Sequence, residues 1–76
     1  MREKVLAVLA DFNDEILDDL EQDLLATEIL DSFEIVKLVV ELEDAFDITI
    51  DVDQVTPDNF RKVESIIAMI EKIALA

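Results

Sequence analysis

At 76 residues the chain has room for a single small domain spanning residues 1–76, with little space for a deep pocket walled by its own residues. Six Lys+Arg against twenty Asp+Glu leave a net charge of −14, which repels nucleic-acid phosphates and anionic membrane surfaces and favours a protein partner with a basic patch. The lack of Cys, His and Gly excludes disulfides, thiolate chemistry, imidazole catalysis and glycine-rich phosphate loops, so neither a catalytic residue nor a metal site is expected.

Residues 1–12 place Met1, Val5, Val8, Leu9 and Phe12 on one helical face. Residues 13–31 hold eight acids and no base, with Ile16, Leu17, Leu20, Leu24, Leu25, Ile29 and Leu30 interspersed. This reads as a long, partly helical loop pinned to the core by its leucines; a second regular helix over 14–26 is the alternative. Residues 32–46 give the clearest helix, with Asp31 as N-cap and Glu34 placed to close a capping box.

Asp47 to Asp51 then alternate as a short extended stretch without a partner strand. Thr56-Pro57 reads as N-cap and first residue of a short helix ending near Phe60. A last helix over 61–75 is expected to bury Val63, Ile66, Ile67, Ile70, Ile73 and Ala74. The sum is an all-α fold, a small four-helix bundle with a long first loop and a short third helix. The longest apolar run, Ile66 to Ile70, is far short of a membrane span, and no signal peptide is visible, so a cytoplasmic location is expected.

The helix over 32–46 has more apolar surface than one core stripe requires. Projected at about 100° per residue, Ile35, Leu38, Val39, Leu42, Ala45 and Phe46 form the core stripe. Glu34, Lys37, Glu41 and Asp44 form the wet face. Phe33, Val36 and Val40 make a second apolar cluster, which is either an exposed docking patch rimmed by acids or a second buried side. The cluster begins on the first turn beside Ser32, where unpaired N–H groups and the positive dipole end would suit an attached phosphodiester.

Leu30-Asp31-Ser32-Phe33, followed by Val36, Leu38, Leu42, Glu43 and Phe46-Asp47-Ile48, resembles the carrier-protein family: acyl carrier proteins, peptidyl carrier domains and D-alanyl carrier proteins. The resemblance covers essentially the whole chain in element order and spacing. It implies that Ser32 is the attachment point for covalent 4′-phosphopantetheine, installed by a phosphopantetheinyl transferase from coenzyme A. It implies that Asp31 helps that transferase hold its magnesium ion. It matches Phe33, Val36, Val40, Glu41, Glu43 and Asp44 to the family's partner-recognition helix, with Lys37 standing where fatty-acid carriers usually show an acid.

The Leu-Asp-Ser-Phe form and the stretch from Phe46-Asp47-Ile48 to Pro57-Asp58-Asn59-Phe60 resemble D-alanyl carriers most closely. Those usually have Gly four residues before the serine, where Glu28 stands; fatty-acid carriers have it three before, where Ile29 stands. The implied function is a monomeric, non-enzymatic carrier of D-alanyl-like type. It would hold aminoacyl or acyl cargo as a thioester and present it to an adenylating ligase or acyl synthase and to a receiving acyltransferase. A long acyl chain would insert between helices lined by Ile35, Val39, Ile66 and Ile70. The alternatives are a fatty-acid or polyketide acyl carrier, and an acidic structural interaction module without a prosthetic group. Asp47, Asp51 and Asp53 resemble scattered calcium ligands, but an EF-hand loop needs a Gly that the chain lacks.

Overall fold

The computed structural model describes residues 1–75. Four helices follow one another: α1 (Arg2–Phe12), α2 (Ser32–Phe46), α3 (Pro57–Phe60) and α4 (Val63–Ala74). Single 3₁₀ turns stand at Asp14–Leu17 and Val52–Gln54. The four helices, the long first connection and the short third helix form the expected bundle, and no strand occurs among the described residues. None of the described helices is long and apolar enough to cross a membrane.

Each helix contributes one side to a continuous core. Val5 and Leu9 of α1, Leu38 and Leu42 of α2, Phe60 of α3 and Val63, Ile66 and Ile70 of α4 are fully buried. Burying each of these side chains contributes about 1.5–3 kcal/mol, before the loss of chain entropy. Val8 and Phe12 pack against this core from its edge, whereas Met1 precedes α1 and is largely exposed. Leu6 rather than Met1 completes the packing side of α1.

The long connection is a loop and not a second regular helix. Asn13 ends α1 in an extended conformation, and its side chain accepts from the Glu15 N–H at 3.0 Å, which favours a tight turn over helix continuation. Asp19 and Asp23 repeat the device two residues ahead, accepting from the N–H groups of Glu21 and Leu25. Each such bond offers the backbone a local alternative to helix. The loop is pinned by Ile16, Leu24 and Leu30, all buried, while Leu20 faces solvent.

The helix ends follow local rules with two departures from the sequence expectation. Asp31 Oδ1 accepts from the Glu34 N–H at 2.8 Å, the first half of the expected capping box. The reciprocal bond, in which the Glu34 carboxylate would accept from the Asp31 N–H, does not form among the described residues. α4 begins at Val63 and not at residue 61, because Lys62 is extended and acts as its N-cap, with Ser65 bonded back to Lys62 N and O. Met69 is buried alongside the predicted stripe, and Ile73 and Ala74 are only half-buried.

Three contacts tie the bundle across its surface. Arg2 pairs with Glu64 through both guanidinium ends, at 2.8 and 2.6 Å, joining α1 to α4. Lys4 Nζ sits 4.9 Å from the centre of the Phe46 ring, joining α1 to α2. Arg61, between α3 and α4, pairs with Asp23 of the long loop at 3.1 Å.

Candidate functional site

Ser32 is the first residue of α2 and is exposed. Asp31, extended at φ −111° and ψ −175°, turns the chain into the helix and occupies the Glu34 N–H with one carboxylate oxygen. Its neighbour's hydroxyl makes no hydrogen bond among the described residues. The chain's other serine, Ser65, is half-buried, and its Oγ both donates to Lys62 O at 2.8 Å and accepts from Lys62 N at 3.2 Å. The two serines therefore differ in kind: one is a structural cap, the other an open hydroxyl at the positive end of a fifteen-residue helix.

The loop reaches Ser32 through an unusual backbone residue. Glu28 has φ 63°, in the left-handed region that glycine occupies without steric cost. This is the position four residues before Ser32. The left-handed turn lets the chain fold back so that the Leu30 N–H donates to Leu24 O at 3.0 Å, which sets Leu30 into the core and delivers Asp31 to the helix start.

The second apolar cluster of α2 is on the surface. Phe33 is 78% exposed, Val36 62% and Val40 52%, so these side chains are not a second buried side. Val52, in the 3₁₀ turn after α2, is 78% exposed and extends the patch; the sequence reading missed it. Its signal was the run Ile48, Ile50, Val52, of which only Ile50 is buried.

Lys37, Glu41 and Asp44 are exposed along the same helix. Glu43 is half-buried, and its Oε2 accepts from the Ile50 N–H at 2.7 Å, fastening the chain after α2 to the helix. Asp47 makes that return possible at φ 53°, where an aspartate tolerates the left-handed conformation.

Two grooves flank Val36. One, of about 260 Å³, is lined by Ser32, Ile35 and Val36 from α2, by Val55, Thr56 and Pro57, and by Leu25 from the long loop. The other, of about 270 Å³, is lined by Val36, Val39, Val40, Ile50, Val52 and Val55. Ile66 and Ile70 line neither and are fully buried in the core, against which Ile35 and Val39 pack while also lining the grooves. Leu25, Val55 and Pro57 had no sequence signal, because their convergence on Ser32 depends on how three segments meet.

Among the described residues, no group of three or more acids is arranged to hold a metal ion. Asp47, Asp51 and Asp53 are exposed. Asp23 is the carboxyl most engaged by its neighbours. The Ala26 N–H, with the Arg61 guanidinium and the Leu25 N–H, holds it below its ordinary value against an opposing effect of burial. The Arg2 hydrogen bond and charge likewise lower Glu64.

A family model described as a phosphopantetheine attachment site matches residues 3–70. No curated protein and no solved structure matches the chain.

Proposed function

We infer, for a chain that belongs to the phosphopantetheine attachment site family, that Ser32 is the anchor of the prosthetic group and that the cargo is aminoacyl, of D-alanyl type. The family's domains are carriers and not catalysts, and they hold 4′-phosphopantetheine covalently on a serine; they meet phosphopantetheinyl transferases and the enzymes that load and unload the arm. This sets aside the acidic module without a prosthetic group.

The observation that carries the assignment is the contrast between the two serines: Ser32 is exposed and unbonded at a helix N-terminus, whereas Ser65 is spent on a cap. The residues fit the group. A phosphodiester on Ser32 Oγ would lie at the positive end of α2. Asp31 keeps its second carboxylate oxygen clear of the N-cap bond, as a transferase's magnesium ion would require. When bound, the arm supplies the thiol that this Cys-free chain lacks, and cargo is held on it as a thioester.

Two features favour an aminoacyl cargo. The left-handed residue stands at Glu28, the place where D-alanyl carriers usually have Gly. The groove at Ser32, about 260 Å³, has room for a short group. A fatty-acid or polyketide cargo is the second reading, favoured by the aliphatic lining of that groove.

The partner surface is Phe33, Val36 and Val40, extended by Val52, with Glu41 and Asp44 beside it. Its charge suits an adenylating ligase or acyltransferase that surrounds an apolar pocket with bases. The acids speed encounter, and the small apolar patch keeps residence short. Lys37 places one positive charge in this field and narrows the set of partners. Glu43 acts from behind, holding Ile50 and the turn that carries Val52. The chain works as a single domain over 1–76, as a monomer in the cytoplasm.

Incubation with coenzyme A and a broad-specificity phosphopantetheinyl transferase tests the anchor. Wild type and Ser65→Ala gain the mass of one arm, and Ser32→Ala gains none. A mass gain on Ser32→Ala would overturn the assignment. Loading of the arm-bearing chain with D-alanine by a D-alanine-adenylating ligase, and not with fatty acid by an acyl synthetase, tests the cargo.

A further inference from the structure

The groove beside Ser32 has three walls, each from a different part of the chain. Ser32, Ile35 and Val36 belong to a fifteen-residue helix. Val55, Thr56 and Pro57 lead into α3, and Thr56 Oγ1 accepts from the Asn59 N–H to cap it. The third wall is Leu25 alone, from the long connection that has no regular helix around it.

Leu25 is held through its neighbours. Asp23 Oδ1 accepts from the N–H groups of Leu25 and Ala26, both at 3.0 Å, and Asp23 O accepts from the Thr27 N–H and hydroxyl. This makes one compact turn over residues 23–27. Two bonds fix the turn to the bundle, and both end on Arg61. The Leu24 N–H donates to Arg61 O at 2.6 Å, and Arg61 Nη1 donates to Asp23 Oδ2 at 3.1 Å. Among the described main-chain bonds donated by residues 19–30, the bond from Leu24 is the one that leaves the connection.

Charge sharpens the dependence. Residues 13–31 carry eight acids and no base, so the segment repels itself and the rest of a −14 chain. Among the described residues Arg61 is the one cation ion-paired to it, and Arg61 also faces Asp58 at 3.7 Å. Arg61 lies one residue beyond α3, whose entry forms the second wall of the groove.

We infer that Asp23 and Arg61 are positioning residues: their clasp joins the Leu25 wall to the α3 wall and so fixes the width of the groove beside Ser32. Leu24, fully buried, anchors the connection independently of the pair, so losing the clasp loosens the turn without unfolding the bundle. That the groove receives the group carried on Ser32 rests on the proposed function; the action of the clasp on the groove does not.

Amide exchange and chemical shifts of the nitrogen-15-labelled full chain, without its arm, test this. Asp23→Asn keeps the acceptor for the Leu25 and Ala26 N–H groups but removes the charge pair; Arg61→Met keeps the apolar stem. In both, the Leu24 amide exchanges about tenfold faster or more, while the Ile66 and Ile70 amides of α4 change less than about threefold. The Ser32, Val36, Val55 and Thr56 resonances shift in both variants and stay near wild type in Arg61→Lys. Equal acceleration at Leu24 and Ile70 would make the pair a global stabiliser only, and unmoved groove resonances would remove its link to Ser32. Either result overturns the inference. The transferase assay on Ser32→Ala reads the anchor separately, so the two ideas fail independently.

Discussion

Glu28 offers a direct measure of the backbone cost carried next to the site. A non-glycine residue held at φ 63° costs about 1–2 kcal/mol, because its Cβ crowds the following carbonyl oxygen. Glu28→Gly removes that cost. It also gives the unfolded chain more freedom, which takes back about 0.5–1 kcal/mol. The net expectation is a gain centred near roughly 0.75 kcal/mol, which in a domain of this size raises the Tm by about 3–6 °C. The substitution also removes one negative charge from an acidic segment, so Glu28→Gln is the proper reference, having the same charge change and the same backbone demand. Thermal melts followed by circular dichroism at 222 nm, at one fixed ionic strength, give the comparison. Glu28→Gly should melt above Glu28→Gln. If it melts at or below Glu28→Gln, the left-handed turn is not what residue 28 contributes, and its likeness to the Gly of D-alanyl carriers loses its physical basis.

Three other outcomes are expected. Asp23 has a lowered carboxyl pKa, so its bonds stabilise the fold above the ordinary unfolded value of about 3.9, and that contribution is lost as pH falls through the lower folded value. The Tm difference between wild type and Asp23→Asn should therefore be constant near neutrality and shrink below about pH 4; a difference that grows in acid would reverse the sign of this reasoning. Raising ionic strength from dilute buffer, or adding magnesium, should raise the Tm by screening the −14 charge, and unchanged midpoints would show that self-repulsion is negligible. Lys37→Glu should leave the Tm within about 2 °C of wild type, since Lys37 is exposed, while changing the KM of the loading enzyme; an unfolded variant would mean that the residue has a structural partner.

Much of this architecture could be read from local rules. Helix starts at Asp31-Ser32 and Thr56-Pro57 follow from side chains that satisfy the first free N–H groups, which needs no knowledge of the rest of the chain. The absence of Cys, His and Gly removed thiolate, imidazole and glycine-loop chemistry, and the Asp-Ser pair at the head of an amphipathic helix marked the candidate site. The projection of α2 separated Phe33, Val36 and Val40 from the core stripe but could not say whether a second neighbour covered them. Periodicity records faces, not what packs against each one. Only tertiary structure decided that they are bare, that Glu43 turns to Ile50, and that Ser32 and Ser65 have opposite environments. The same limit hid Leu25, Val55 and Pro57. They come from two segments about thirty residues apart, and their meeting at Ser32 depends on a loop held by Asn13, Asp19 and Asp23 through bonds to backbone N–H groups, and by Arg61 through Asp23 and the Leu24 N–H, none of which a hydrophobic pattern encodes.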